Sequence, residues 1–193
     1  MGKAANSSIS LKQIHVTDNF WNKYVHLVKD VIIPYQWDIL NDKLEDVETS
    51  HCIENFKIAA GEKEGEFQGA VFQDTDVAKW LEAVGFALNY ERDEKLEALA
   101  DETIELIGRA QQPDGYLNTY FTIKEPDGRW SNLMEGHELY TAGHMIEAAV
   151  AYYEATGKRR FLEIVSKFAD LVCQTFGPEE GKIHGYPGHQ EIE

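Results

Sequence analysis

Apolar residues recur at helical spacing along nearly the whole chain, and this periodicity constrains the fold more than any other feature. Val77, Trp80 and Leu81, for example, stand three and four residues apart, which places them on one face of a helix. Asp74 or Thr75 is the predicted N-cap of that helix. No segment shows a convincing two-residue alternation typical of a half-buried strand. The sequence therefore predicts an all-α fold.

The helical segments also repeat along the chain. Residues 81–83 (Leu-Glu-Ala) align with residues 146–148 (Ile-Glu-Ala) at an offset of 65, and a Gly-Tyr pair follows each second helix, at 115–116 and 185–186. The repeating unit is an αα-hairpin with a Gly-Tyr loop, and it needs neighbours to cover its apolar face. TPR and HEAT periods of about 34 and 40–47 residues do not fit this offset. The pattern favours the N-terminal half of an (α/α)6 barrel, a toroid of αα-hairpins.

Caps and helix breakers predict the remaining elements. The first helix is expected to begin after Thr17 and to kink or end at Pro34, and residues 1–13 are expected to be a flexible N-terminus. Residues 115–135 form a long connection, which predicts a functional loop. The final GHQEIE resembles the first turn of another helix, so we expect a truncated chain. Further helices are predicted over residues 52–60, 138–156 and 161–176.

Composition excludes several classes of protein. The formal net charge is −16, which disfavours proteins that bind nucleic acid or anionic membranes through clustered positive charge. Apolar residues make up 43%, which is too many for a disordered acidic tail. No run approaches the ~18 apolar residues of a membrane helix. The two cysteines are too few for a disulfide framework, and the N-terminus has no signal-peptide pattern, so we expect a cytoplasmic protein.

Histidines mark the segment in which we expect a binding site. His137 and His144 are seven residues apart and share a helix face, on which Tyr140 and Thr141 are polar where a core stripe would be apolar. His137 begins the helix beside the long loop and is predicted to be functional. A buried packing role explains His144 equally well. The segment 137–141 begins like the zinc pattern HExxH but ends in Thr141, so no metal site is predicted.

Carboxylates and loop aromatics extend the candidate site. Asp76 lies at a helix start, where capping and the helix dipole also explain an acidic residue. Glu138 directly follows His137. Tyr116 and Phe72 are among the aromatic residues near loops that can stack on sugar rings. Acid/base cleavage of a glycoside needs two carboxyl groups ~5–10 Å apart, a distance that the sequence does not give.

Four segments together resemble the N-terminal part of β-L-arabinofuranosidases of glycoside hydrolase family 127. They are FQDTDVAKWLEAVGFAL, QQPDGYLNTYF, WSNLMEGHELYTAGHMIEAAVAYYEATGKRRFL and GYPGHQEIE. The resemblance covers most of residues 14–193, which it identifies as the N-terminal part of an (α/α)6-barrel catalytic domain that β-sandwich domains would follow. It implies retaining hydrolysis that releases L-arabinofuranose from β-linked arabino-oligosaccharides.

The resemblance limits the expected site to the sugar pocket. Members of the family use a cysteine nucleophile in a zinc site of three cysteines and a glutamate, and a separate glutamate as acid/base, all in the second half of the barrel. This chain is therefore expected to be inactive alone and to hold no catalytic residue, metal or cofactor, whereas the full-length protein is expected to hold zinc. His137 and His189 resemble family residues that hydrogen-bond arabinose hydroxyls. The other expected substrate-binding residues are Tyr116, Glu138, His144 and Asp76.

Two alternatives remain open at this point. Another α/α-toroid enzyme, similar to an unsaturated glucuronyl hydrolase, would take an acidic substrate and would want basic residues in its pocket. A non-catalytic α-hairpin scaffold would show an exposed apolar groove and no convergence of His137 with His189. The expected partner is an oligosaccharide, with no nucleic acid and no membrane. Apolar faces that missing hairpins would cover also predict self-association.

Overall fold

The computed structural model of the chain describes residues 9–193, and its regular structure there is helical. The all-α prediction is confirmed, because this part contains no strand and pairs extended backbone in a single bridge between Phe176 and Ile183. None of its helices is long and apolar enough to cross a membrane. The α-helices are α1 Asn19–Leu27, α2 Ile33–Leu40, α3 Cys52–Ala59, α4 Asp74–Tyr90, α5 Glu94–Ala110, α6 Thr119–Ile123, α7 Glu138–Thr156 and α8 Arg160–Thr175.

The helices α4 and α7 pack side by side and run parallel. Phe72 lies beside His137 near the starts of the two helices, and Gly85 lies beside Ala151 further along both. Residue numbers at the contacts therefore increase in the same direction on α4 and α7. A Cβ atom on Gly85 would stand 2.8 Å from the carbonyl carbon of Ala151, so this close approach requires glycine. The helix α2 flanks α4 in the same layer, and α3, α5 and α8 form a second layer outside it. This is the architecture of half an (α/α)6 barrel.

The structural repeat has the period that the sequence predicts. Adding 65 to the bounds of α4 and α5 gives 139–155 and 159–175, and the observed bounds of α7 and α8 are 138–156 and 160–175. Gly157 ends α7 with a positive φ of 76°, as its predicted position after the helix requires. Two consecutive hairpins of nearly equal length therefore form the centre of the described chain.

The hydrophobic core lies between the two layers. Trp80 is buried in α4, and its indole Nε1–H donates to the carbonyl of Ile33 at 3.0 Å, which ties α4 to α2. The Trp37 ring packs on Trp80 with centroids 4.5 Å apart. Between the outer and inner layers, Ile104 and Ile164 are almost fully buried. The apolar stripes of α4, α5, α7 and α8 thus pack against one another, as the periodicity predicts.

The N-terminal part differs from the prediction in several ways. Asp18, not Thr17, caps α1, and its carboxylate accepts from the backbone N–H groups of Phe20 and Trp21 at 3.0 and 2.8 Å. Pro34 does not end the helix, because a π-helical turn over Val28–Ile32 leads from α1 into α2. Of the terminus predicted to be flexible, residues 1–8 lie outside the described residues. Leu11–Gln13 form a 3-10 turn that contacts α4.

Two later segments also carry unpredicted structure. The connection over 115–135 contains α6 and a 3-10 turn at Pro126–Gly128. The last segment forms a 3-10 turn at Gln190–Ile192 where a first α-helical turn was expected. The helices predicted over 52–60, 138–156 and 161–176 agree with α3, α7 and α8 within one residue at each end.

Candidate functional site

The starts of the inner helices form one rim of the molecule. His137 immediately precedes α7 in the left-handed conformation, with φ 54°, which turns the chain from the long connection into the helix. Its Nδ1 lies 2.8 Å from the carbonyl oxygen of Glu135. The half-exposed Phe72 ring, just before α4, lies with its centroid 5.1 Å from that of the His137 ring.

His189 lies at the same rim, one element further along. It precedes the last 3-10 turn, and its Nδ1 accepts from the backbone N–H of Glu191 at 3.1 Å. Tyr140 lies between the two histidines, with ring centroids 5.6 Å from His137 and 4.7 Å from His189. The two imidazoles are therefore at most about 10 Å apart. We call His137, Tyr140, His189 and Phe72 the histidine rim.

The two imidazoles offer opposite hydrogen-bonding polarity. The carbonyl oxygen of Glu135 can only accept, so the neutral His137 ring carries its hydrogen on Nδ1 and offers Nε2 as an acceptor. The Nδ1 of His189 accepts a backbone hydrogen, so that neutral ring carries its hydrogen on Nε2 and offers a donor. A ligand with hydroxyl groups, each of which can donate and accept, can satisfy both nitrogens.

Tyr116 and Glu138 lie inside the protein and bond to each other. Tyr116 is fully buried, and its hydroxyl donates to Oε1 of Glu138. The other carboxylate oxygen accepts from the backbone N–H of Trp130 at 2.8 Å. Burial raises the pKa of both groups. The structure therefore gives them no open face toward a ligand, and the direct sugar contact expected of them is corrected to an internal role that holds the long connection against α7.

Asp76 lies in a cleft beside the histidine rim. Its carboxylate accepts from Nε2 of Gln73 at 2.8 Å, and it lines a cleft of about 670 Å³ between α2 and α4 together with Ser50, Lys79 and Trp80. Partial burial raises the pKa of Asp76. The cleft borders the histidine rim, because Nζ of Lys79 donates to the Tyr140 hydroxyl at 3.0 Å.

His144 lies two turns below the rim, against the last segment. Its Nδ1 stands 3.0 Å from Oε1 of Glu191, and the Tyr140 ring covers it with centroids 4.5 Å apart. Burial lowers the pKa of His144. Glu147, one turn further along α7, points to the same place, and a hydrogen bond with Glu191 raises its pKa. The His144 side chain is only 12% exposed, a position that the packing alternative predicts, while the sugar contact also expected of His144 stays a prediction.

Asp74 has a role that sequence reasoning missed. The helix start suggests a cap, but its buried carboxylate accepts from the backbone N–H and the hydroxyl of Thr119, at 2.6 and 2.5 Å. Burial raises the pKa of Asp74 to about 6. Lys79 and Glu191 were also missed as neighbours of the rim. The 65-residue repeat sets Lys79 at the position that corresponds to His144 on the next inner helix, but it gives no signal for Glu191.

The cysteines do not fit the zinc site that the family implies. Cys52 is buried at the start of α3, where its thiol donates to the carbonyl of Gln73 at 3.3 Å and burial raises its pKa far above the ordinary value. Cys173 is exposed on α8. Within residues 9–193 the convergent metal-ligating side chains are those of His144, Glu147 and Glu191, with no cysteine among them.

The layered helices and the histidine rim define the class of the protein, which is part of an (α/α)6-barrel domain. Residues 13–193 match the profile of the family described as Beta-L-arabinofuranosidase, GH127 catalytic domain. The chain belongs to this family.

Individual relatives agree with the family assignment. A non-reducing end β-L-arabinofuranosidase of Bifidobacterium longum subsp. longum is 45% identical over an alignment of 196 positions, which covers 93% of this chain and 30% of that protein. A GH127 β-L-arabinofuranosidase from Geobacillus stearothermophilus T6 matches with a TM-score of 0.91 and 64% identity, over 92% of this chain and 28% of that one. Another GH127 β-arabinofuranosidase matches with a TM-score of 0.85 and 36% identity, over 94% of this chain and 29% of that one. The chain thus spans less than a third of the length of these relatives.

Proposed function

We propose that this chain is the N-terminal part of a retaining glycoside hydrolase that releases L-arabinofuranose from β-linked arabino-oligosaccharides. The observation that carries the proposal is the pair His137 and His189, which flank Tyr140 with opposite hydrogen-bonding polarity in a chain of this family. A furanose ring carries several hydroxyls, so it can offer a donor to one ring nitrogen and an acceptor to the other. In the whole protein, β-sandwich domains would follow the barrel.

In this proposal the chain binds sugar and does not break the glycosidic bond. His137 accepts from one hydroxyl, His189 donates to another, and the exposed face of Phe72 supplies apolar contact beside His137. Tyr116 and Glu138 position the start of α7 from inside the protein. The nucleophile, the acid/base and the zinc of the family would come from the rest of the protein, so no step of the reaction is assigned to residues of this chain.

The test uses the longer protein that contains this chain. We expect His137→Ala and His189→Ala each to lower kcat/KM on an aryl β-L-arabinofuranoside by about tenfold to a hundredfold, because a sugar hydroxyl or its partner stays unpaired in a closed site at a cost of ~1–3 kcal/mol. His184→Ala is the matched control, because His184 is exposed and should leave kcat/KM unchanged. Unchanged kcat/KM in both rim variants would reject the sugar-binding role of the rim.

The chain alone should show no turnover of the same substrate. The family nucleophile is a cysteine in a metal site, whereas Cys52 is buried with a raised pKa and Cys173 stands alone on α8. Release of the aryl group by the purified 193-residue chain, at a rate that His137→Ala reduces, would contradict this expectation.

The two alternatives receive less support. The convergence of His137 with His189 is the opposite of what a non-catalytic scaffold predicts. A glucuronyl hydrolase would need cations near its acidic sugar. Lys79 is the basic residue bonded to the rim, and the carboxylates of Glu82, Glu147 and Glu191 belong to the same region, so the local charge does not favour an acidic sugar.

We also propose that the protein is cytoplasmic, because both cysteines are unpaired. Cell fractionation would test this location.

A further inference from the structure

The strongest unassigned feature is a cluster of three side chains below the histidine rim. One ring nitrogen of His144 and one carboxylate oxygen each of Glu147 and Glu191 lie within 4.8 Å of one another. We propose that this cluster binds one divalent transition-metal ion, with Zn²⁺ as the best fit. It is separate from the cysteine zinc site that the family implies, and it does not depend on the proposed sugar specificity.

The backbone holds the three ligands in place before any ion binds. His144 and Glu147 are three residues apart on α7, so they project from the same helix face. Glu191 comes from the last 3-10 turn, whose backbone lies so close to Gly143 that a Cβ atom there would overlap the Glu191 carbonyl. The helix and the turn are thus in direct contact beside the cluster, which reduces the freedom that metal binding would have to remove.

The orphaned polar atoms point to a missing ligand. Both ring nitrogens of His144 and Oε1 of Glu191 are buried and have no hydrogen-bond partner, although Nδ1 and Oε1 are only 3.0 Å apart. Buried polar atoms without partners are rare in proteins. The 3.0 Å between Nδ1 and Oε1 is also the spacing of two ligands of one ion, because metal–ligand bonds of about 2.0–2.1 Å place neighbouring ligands about 3 Å apart.

The charge and the chemistry of the donors favour a transition-metal ion such as Zn²⁺ over Mg²⁺ and Ca²⁺. Glu82 from α4 also faces Glu147 and Glu191, so the cluster and its surroundings hold three carboxylates against the one nearby cation, Lys79. One imidazole with carboxylates suits Zn²⁺, whereas Mg²⁺ and Ca²⁺ choose all-oxygen sites. Glu147 is exposed, so an ion can enter from solvent and keep water as a further ligand.

The experiment titrates ZnCl₂ into the metal-free 193-residue chain by calorimetry and follows Tm in parallel. We expect one saturable equivalent and a rise in Tm, with no rise for MgCl₂ or CaCl₂. Glu147→Gln and His144→Asn should each weaken binding by more than about tenfold, since even the loss of an outer partner costs that much. Because Glu147 is exposed, its variant should keep the parent circular dichroism.

Two matched controls separate this site from adventitious binding to surface groups. Glu154→Gln removes an exposed carboxylate from the same helix, and His184→Ala removes an exposed imidazole. Both should bind zinc as the parent does. Absence of a one-equivalent site, or equal affinity in Glu147→Gln and the parent, would overturn the proposal and leave Glu147 and Glu191 as a carboxyl pair that shares a proton.

Discussion

At the scale of single residues, two buried carboxylates fasten the long connection to the inner helices. Asp74, in the first turn of α4, accepts two hydrogen bonds from Thr119, and Glu138, in the first turn of α7, accepts from Tyr116 and Trp130. The positive end of each helix dipole favours an anion at such a position, which offsets part of the cost of burial. Each of the two repeats thus holds the long connection through one buried carboxylate at the start of its inner helix.

Asp74 should make stability depend on pH. Its pKa is raised from 3.8 to about 6, so between these values the folded state binds a proton that the unfolded chain has released. Its favourable contribution is complete below about pH 4 and is lost as the pH rises through about 6. Asp74→Asn removes this dependence, because the amide does not titrate. The difference between the free energies of unfolding of the variant and of the parent should therefore shift in favour of the variant by up to about 3 kcal/mol from pH 4 to pH 7.

Urea unfolding of both proteins at several pH values measures this difference. The exposed Asp170→Asn variant is the control for the loss of one negative charge, and its difference from the parent should not follow the same pH curve. A flat difference between Asp74→Asn and the parent would show that the buried carboxylate stays ionised throughout.

Tyr116→Phe should destabilise the chain by about 1–3 kcal/mol, because it removes a donor from the buried carboxylate of Glu138. Tyr152→Phe is the matched control. The Tyr152 hydroxyl donates to Asp101 at 2.7 Å, but the Asp101 side chain is 41% exposed, so water can replace that donor. Chemical denaturation of both variants gives the comparison, and equal losses would contradict the internal role of Glu138.

At the scale of helices, local signals predict where most elements lie. Gly157, for example, ends α7 through its own backbone preference, and the predicted end at residue 156 agrees with the structure. The π-helical turn before Pro34 was not predictable, because whether a helix stops or widens at proline depends on what packs against it. The apolar face of α1 is exposed, whereas those of α4 and α7 are buried. All three faces have the same helical spacing in the sequence, so periodicity could not distinguish them.

The contact between α4 and α7 should depend on one glycine. Gly85→Ala places its Cβ against the backbone of Ala151, which cannot move without separating the helices, so we expect a loss of about 1–3 kcal/mol. Gly108→Ala on α5 is the matched control. Its Cβ meets only the ends of the Arg160 and Ile164 side chains, which can shift, and alanine favours a helix by about 0.5–1 kcal/mol. Thermal and urea unfolding should therefore rank Gly108→Ala above Gly85→Ala, and the reverse order would contradict the close packing.

At the scale of the whole molecule, the sequence predicts the architecture and the rim better than the site's interior. His137 and His189 each begin a helical segment of the sequence, which predicts a common side, and in the structure both rings lie beside Tyr140. The inward position of Tyr116 could not be predicted, because a tyrosine beside a loop has the same local pattern whether it faces solvent or a buried carboxylate. Glu147 and Glu191 meet only through the packing of the last turn on α7.

An apolar surface extends over α1 and the segment before it. Phe20 is 55% exposed and Trp21 is 62% exposed. Trp21 also lines a nearly wholly apolar cleft of about 680 Å³ together with Leu11, Tyr24 and Phe86. Contiguous apolar surface of this kind commonly marks an interface.

We expect the chain to self-associate through this surface. Sedimentation at increasing concentration should show species heavier than the monomer, and the double variant Phe20→Ser/Trp21→Ser should remain monomeric. Tyr186→Ser is the control, because Tyr186 is 91% exposed at a distant loop and should leave association unchanged. A parent chain that sediments as a monomer at all concentrations would contradict the prediction.

The spacing of the inner helices determines the order in which the domain can assemble. Because α4 meets α7 about 65 residues later and runs in the same direction, each hairpin can dock on the one made just before it. A chain that emerges from the ribosome in sequence could therefore build its two layers hairpin by hairpin, with each new unit covering the apolar face that its predecessor leaves open. Growth of this kind would keep exposed apolar surface to about one hairpin at a time while synthesis continues.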